Sequence, residues 1–506
     1  MKTASPRLLV SCVALVALLA GAGGNAGAAA DSTRYVVVLA GQQTSSGFQA
    51  TGTKAAIEAE VTRAGGTIVN DLSRQIGVLI VDSPNALLDE ALRASSLFDA
   101  AGEDFKWKAF PSTQEALDSG SVILSHPGGG VPGGGPAPHA DALEPFQWSM
   151  QQIRAPQAHA TQAGSPMVEV GILDSGVDST HVDLAPNVDC VKARDFVPLG
   201  PGIAVGGPCN DNQFHGTHVA GIVAGAINGV GIVGVAPKVK LIPVKVCDAL
   251  GYCYASSTAA GITYAGDAKL EVINMSFFVD DDQFLQSTEF KCMSDPVQRA
   301  FRKANERAIQ YARNQGVVPV AALGNSDNDL AHPPEPYENE CEVVPAETQG
   351  VIGTMSLGPS SEKAFYSNYG FGMTDVAAPG GNSANNTPPF PGPCGTQVLS
   401  SFPGNLYVCI QGTSMASPHA AGVAALIVSQ FGRLGSDAGE PDVVMRPQEV
   451  ENYLQSTTID IGLPGYDECF GNGRVDAVRA VTHDTSRLYQ PNPPCPEYAE
   501  EPPPSS

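Results

Sequence analysis

The chain has 506 residues, 43% of them hydrophobic, and a formal net charge of −24, enough for two or three domains with a sizeable core. So acidic a surface repels nucleic-acid phosphates and argues against a nucleic-acid partner. No apolar run reaches the length of a membrane span, so no membrane partner is expected.

In chain order, residues 1–30 carry Lys2 and Arg7, then the apolar LLVSCVALVALLA, then Ala28-Ala29-Ala30. This reads as a secretory signal cleaved before Asp31, and it predicts a secreted, extracellular protein. Cysteine usage agrees. Of 11 cysteines one, Cys12, lies in the signal, and the rest all follow residue 189, an even set in an oxidising setting that predicts disulfides. Connectivity stays open; the chain neighbours Cys190 with Cys209, Cys247 with Cys253 and Cys394 with Cys409 are the pairings put forward. None has C-x-x-C spacing, so no sulfur-bound metal is expected.

Residues 31–110 form a cysteine-free first domain. YVVVL (35–39) and VLIVD (78–82) read as strands, and 53–64 and 84–94 as helices, giving a small α/β unit. Residues 111–143 are a linker whose HPGGGVPGGGPAPHA (126–140) is too rich in Gly and Pro to bury apolar surface. From 144 to 483, VEVGILD, KLIPVKV, EVINMSF, GVVPVAAL and GVIGTMSL alternate with helices such as HVAGIVAGAI, the pattern of a parallel sheet covered on both faces. One helix has a clear start and stop: Asp295 caps it, Pro296 takes its first position, Val297, Ala300, Phe301, Ala304, Ala308 and Ala312 form one face, and Gly316 ends it. Residues 484–506 are a proline-rich acidic tail.

Ligands of open parallel sheets sit at the carboxyl ends of strands. GILDSGVD puts Asp174 at such an end, and HGTHVAGIVAG puts His215 at the start of an apolar helix. In GTSMASPHAAGVAALI the helix is predicted from Pro418, with Ser414 at or just before its N-terminus, where free N–H groups favour developing negative charge. Each residue alone has a dull reading as a cap or loop residue. Together they supply an acid, a base and a nucleophile in the order Asp, His, Ser.

DSGVD, HGTHVAG, AALGNSD and GTSMASPHAAG, in this order, resemble the four signature segments of the subtilisin-like serine proteases. WSMQQIRAPQAH, GVGIVGVAP, VINMS, DVAAPG and GNGRVDAVRA extend the resemblance over roughly 144–482. It implies an α/β, subtilisin-like three-layer fold with a mostly parallel central sheet. A small α/β ferredoxin-like propeptide domain would precede it, acting as intramolecular chaperone and inhibitor until autocatalytic cleavage between Trp107 and Leu143. Ser414 would be the nucleophile, His215 the base and Asp174 its orienting acid; Asn325 would join the Ser414 N–H as oxyanion donor. His215 and Asn325 point to a neutral-to-alkaline enzyme that loses activity below pH about 6 to 7 as the base is protonated. His218 and His419 are expected to be structural. The resemblance also implies a structural Ca²⁺ held by Glu144, Asp183 and Asn228 with the carbonyls of Ala226, Val230 and Ile232, and no organic cofactor.

Two features depart from the family pattern. Phe277-Phe278-Val279 and an acidic run replace the usual glycine-rich substrate edge, so side-chain pockets are expected to differ. Residues 280–294 and 326–342 form additional loops that Cys292 and Cys341 are positioned to clip together. The expected function is a monomeric secreted serine endopeptidase, made as a zymogen, acting on protein or peptide substrates. The competing reading is a catalytically silent relative that binds peptides.

Overall fold

The computed structural model describes residues 32–114, 123–125, 139–198, 206–279, 295–332, 342–384, 392–435 and 443–491. The expected signal, most of the Gly/Pro-rich linker, Cys292, Cys341 and the end of the tail lie outside them.

The first domain is a four-stranded antiparallel sheet in the order Thr67–Leu72, Val78–Ser83, Thr33–Leu39, Phe98–Glu103. Helices Lys54–Arg63 and Leu88–Arg93 connect its strands, the former capped by the Thr53 hydroxyl. Alternate residues of a strand face opposite sides, and here both sides are apolar. Tyr35, Val37, Leu39, Leu79 and Val81 pack with Ile57, Val61, Leu88 and Leu92 of the two helices. Val36, Val38, Val78, Ile80 and Ala100 belong instead to the core that contains Ala259, Ala300, Phe301, Ala304 and Ala308 of the following domain. YVVVL is therefore an unbroken apolar run because a second domain covers its other face.

That second domain is built on a seven-stranded parallel sheet in the order Arg194–Asp195, Lys240–Lys245, Glu169–Asp174, Val272–Met275, Val318–Ala322, Ile352–Leu357, Val376–Pro379. One core joins Val170, Ile172, Val320 and Ile352 to helices His215–Ala224 and Thr413–Phe431. The other joins Leu173, Ile242, Met275 and Ala321 to helices Ala255–Asp267 and Pro296–Asn314. This is the expected three-layer α/β arrangement. Asp295 caps the last of these helices through Val297 N–H and Gln298 N–H, both at 2.9 Å.

The three proposed neighbour disulfides are present: Cys190–Cys209, Cys247–Cys253 and Cys394–Cys409. Among the described residues no helix is long and apolar enough to cross a membrane.

The helix expected from Pro418 instead begins at Thr413 and runs through that proline to Phe431. Proline has no N–H to give the carbonyl four residues back, which is that of Ser414. The Ser276 hydroxyl donates to Ser414 O at 2.8 Å and fills the vacancy. A tertiary contact thus lets the helix start five residues earlier, with Ser414 inside its first turn.

Candidate active site

The four candidate catalytic residues gather beyond the carboxyl ends of the central strands. Asp174 ends strand Glu169–Asp174, and His215 opens its helix. The His215 ring Nδ1 lies 3.0 Å from both Asp174 carboxylate oxygens. Asp174 is fully buried and His215 nearly so. The ring's tautomer follows from this contact: an acceptor-only carboxylate requires Nδ1–H, leaving Nε2 as the acceptor.

Ser414 and His215 line one cavity of about 350 Å³ together with Asn325, Phe214 and Met415. The Ser414 hydroxyl donates to Ser276 O at 2.9 Å, so Ser276 contacts the serine through both its carbonyl and its side chain. The Asn325 amide is oriented by Thr413, whose N–H and hydroxyl donate to Asn325 Oδ1 at 2.9 and 2.8 Å. Its Oδ1 is thereby committed to Thr413, which leaves its NH₂ as the group free to donate. Gly324 precedes it at φ +113°, where a Cβ would meet Asn368 Nδ2 at 2.2 Å, so glycine is required there.

His218 and His419 are buried, and burial lowers them to about 3 and about 4. His218 Nε2 faces Val408 O and His419 Nδ1 faces Met415 O, contacts suited to neutral structural histidines. Asn274, which carries a glycosylation sequence, is fully buried, with its side chain between Ser276 and Ser417.

The chain itself occupies the approach to this cavity. Lys106–Lys108 pairs antiparallel with Tyr252–Tyr254, and Trp107 packs against Phe277 and Phe301 at ring distances of 6.2 and 5.2 Å. The Phe110 ring then stacks on the His215 ring at 3.8 Å, 14° from parallel. Gln213 Nε2 donates to Pro111 O at 2.6 Å. Farther along, Ile123–Ser125 adds as a third strand beside Leu406–Ile410, so part of the expected linker is ordered strand. Strand Lys106–Lys108 thus lies on Tyr252–Tyr254; the Phe277-Phe278-Val279 edge directs its Val279 N–H to Val344 O at 3.0 Å.

Of the residues expected to hold calcium, Asp183 and Asn228 meet: Asn228 Nδ2 donates to Asp183 Oδ1 at 3.1 Å. Asp183 Oδ2 accepts from Ile232 N–H and the Tyr407 hydroxyl. Glu144 turns elsewhere, accepting from His139 N–H at 3.0 Å and facing the His139 ring at 2.8 Å. Asp141, which the sequence pattern did not single out, lies against Asn228: Oδ1 accepts from the N–H groups of Asn228 and Gly229, and Oδ2 is buried without a hydrogen-bond partner. The two carboxylates Asp183 and Asp141, the latter with one orphaned oxygen, fit a hard cation such as Ca²⁺. Elsewhere Asp329, His332 and Glu468 converge, but Asp329 is already engaged by the N–H groups of Ala331 and His332 and by the His332 ring.

Residues 166–473 match the Peptidase S8 model of the subtilase family. Thermitase from Thermoactinomyces vulgaris is 33% identical over 338 residues, spanning 67% of this chain and 96% of that protein. Subtilisin Savinase from Lederbergia lenta is 31% identical over 334 residues, spanning 66% of this chain and 98% of that protein. The solved structure of the epidermin leader peptide processing serine protease from Staphylococcus aureus superposes with a TM-score of 0.64 at 20% identity, covering 90% of this chain and 99% of that one. A family match over most of the second domain, with the expected parallel three-layer fold around the site, carries one conclusion: the chain belongs to the subtilase family and is a serine endopeptidase.

Proposed function

We propose that Asp174, His215 and Ser414 form the catalytic triad of an endopeptidase made as a zymogen and acting on protein or peptide substrates. The observation that carries this is the His215 ring, fixed by both Asp174 oxygens and sharing one cavity with Ser414 and Asn325. For attack, the Ser414 hydroxyl leaves the Ser276 carbonyl and gives its proton to His215 Nε2 as Oγ bonds the peptide carbonyl carbon. The oxyanion forms between Asn325 Nδ2 and the Ser414 N–H, at a helix N-terminus whose dipole favours the new charge. His215 returns the proton to the leaving amine, and water then releases the acyl group by the same steps in reverse.

Residues 31–110 act as an inhibitory propeptide that assists folding. The placement of 106–111 along the cleft, with Phe110 against His215, supports this reading. Self-cleavage falls within 108–143, and the mature enzyme is secreted as a monomer. A structural Ca²⁺ is held by Asp183 and Asn228 with the carbonyls of Ala226, Val230 and Ile232, and with Asp141 in place of Glu144.

The test is labelling of the secreted protein with a serine-directed fluorophosphonate, followed by intact mass and N-terminal mapping, beside a Ser414→Ala control. Labelling at Ser414 with a mature start inside 108–143 and an uncut control is the expected result. A chain that is processed but never labelled defeats the catalytic reading, and a peptide-binding relative becomes the better account.

A further inference from the structure

Beside the triad lie two buried groups of opposite charge, Asp211 and Lys245, that the triad reading leaves unused. Asp211 is 6% exposed, and its two oxygens accept five hydrogen bonds. Oδ1 takes the Ser175 hydroxyl at 3.0 Å and the N–H groups of Gln213 and Phe214 at 3.0 and 3.1 Å. Oδ2 takes the N–H and hydroxyl of Thr217 at 3.0 and 2.6 Å. These donors come from both sides of the triad: Ser175 follows Asp174, while Gln213, Phe214 and Thr217 bracket His215. The Ser175 hydroxyl also accepts from Gly216 N–H at 3.0 Å, and Ser175 N–H donates to Asp174 Oδ1 at 2.7 Å. Phe214 sits at φ +142°, a conformation L-residues rarely adopt and one that needs such an anchor.

Lys245 supplies the opposite charge. It is 1% exposed at the end of the strand beside Asp174, in register with it. Its ammonium donates to Ser175 O and, at 3.2 Å, to Asn212 Oδ1. Burial pushes the Asp211 carboxyl up and the Lys245 ammonium down, and in each case the facing charges work against it. Five donors around one carboxylate and acceptors around one ammonium favour the charged form of both.

We propose that Asp211 is the positioning residue that holds Asp174 and His215 in register, and that Lys245 is its counter-charge, the two together setting the pH at which the enzyme becomes active. The inference rests on the triad reading above. Among the described residues, the titratable groups near His215 are Asp174, Asp211, Lys245 and His218, with His419 beyond it and Asp195 and Asp248 around the lysine. Removing the lysine charge leaves an excess of negative charge that favours the imidazolium, so the acid limb of kcat/KM moves to higher pH. Removing the Asp211 charge does the opposite.

The experiment compares Lys245→Gln, which keeps a donor without the charge, with Asp211→Asn, reading kcat/KM and the fluorophosphonate labelling rate from pH 5 to 9. Shifts of opposite sign, each about one pH unit for a charge at this depth, are expected. A lower kcat with KM nearly unchanged should accompany Asp211→Asn. Unshifted limbs, or shifts of one sign, overturn the proposal. If either variant does not fold, ¹³C carboxyl titration of Asp211 in the full Ser414→Ala chain decides: an ionised carboxylate throughout that range is expected, and a protonated one at neutral pH overturns it. An unaltered chain that never labels would instead defeat the triad reading.

Discussion

The two largest sheets of the molecule each have two apolar faces, but different elements cover them. The parallel sheet of the peptidase domain is enclosed by helices from its own connections. The antiparallel sheet of the first domain covers one face with its own helices and borrows the cover of the other, helices Ala255–Asp267 and Pro296–Asn314. Polar contacts rim this borrowed cover. Asp99 faces Arg299, Lys303 and Arg307; burial works against its charge, but the Lys303 hydrogen bond and the three cations outweigh it and hold the carboxyl low. Asp104 accepts from the Ser256 N–H and hydroxyl, at the first turn of helix Ala255–Asp267. A sheet closed by its own chain connections is permanent, whereas one closed across a domain boundary can be exchanged for solvent once the connection is cut.

This contrast can be broken at several points. The largest effect is expected from Ser414→Ala, which should lower kcat by about 10⁶ and leave the chain uncut, preserving both sheets in one species; mass spectrometry and peptide hydrolysis check it. Asn325→Ala should leave both sheets intact and cost about 10² to 10³ in kcat with KM little changed, measured by steady-state kinetics.

In the Ser414→Ala chain, Val38→Asp places an unpaired charge in the borrowed interface at a cost of about 3–5 kcal/mol. Hydrogen exchange should then accelerate across 98–110 while 169–174 stays protected. Loss of protection in both regions would mean that the two sheets are not separable units.

The smallest effect concerns pH. Burial raises the Asp104 carboxyl to about 6 despite its bonds from Ser256. A carboxyl whose docked value lies above its free value takes up a proton on docking, so its contribution favours docking at low pH and is lost as pH rises from about 4 through 6. Asp104→Asn should flatten the pH dependence of exchange across 98–104, corrected for intrinsic rates; an unchanged slope would place its origin elsewhere.

The site was legible where chemistry and chain position coincide. Asp174, His215, Asn325 and Ser414 each lie in short segments whose neighbours are themselves constrained, such as Gly324 against Asn368, so local sequence carries the pattern. The residues expected to hold calcium gather only in part: Asp183 and Asn228 meet, the loop fold brings Asp141 to Asn228, and Glu144, placed by spacing, faces His139. Ser276, Lys245 and Phe110 had no local signal; each matters through a partner far along the chain, Ser414, Ser175 and His215 respectively.

By itself the sequence determined the alternation of apolar strands and helices, the small first domain, the family segments and the candidate reactive side chains, because periodicity and local turn chemistry are written over a few neighbouring residues. Only the tertiary structure decided that the helix bearing Ser414 passes through Pro418, that Phe110 lies on His215, and that the second face of YVVVL is closed by another domain. Each of these depends on a hydrogen bond or apolar contact between segments far apart in the chain, and such contacts exist only once the whole molecule has folded.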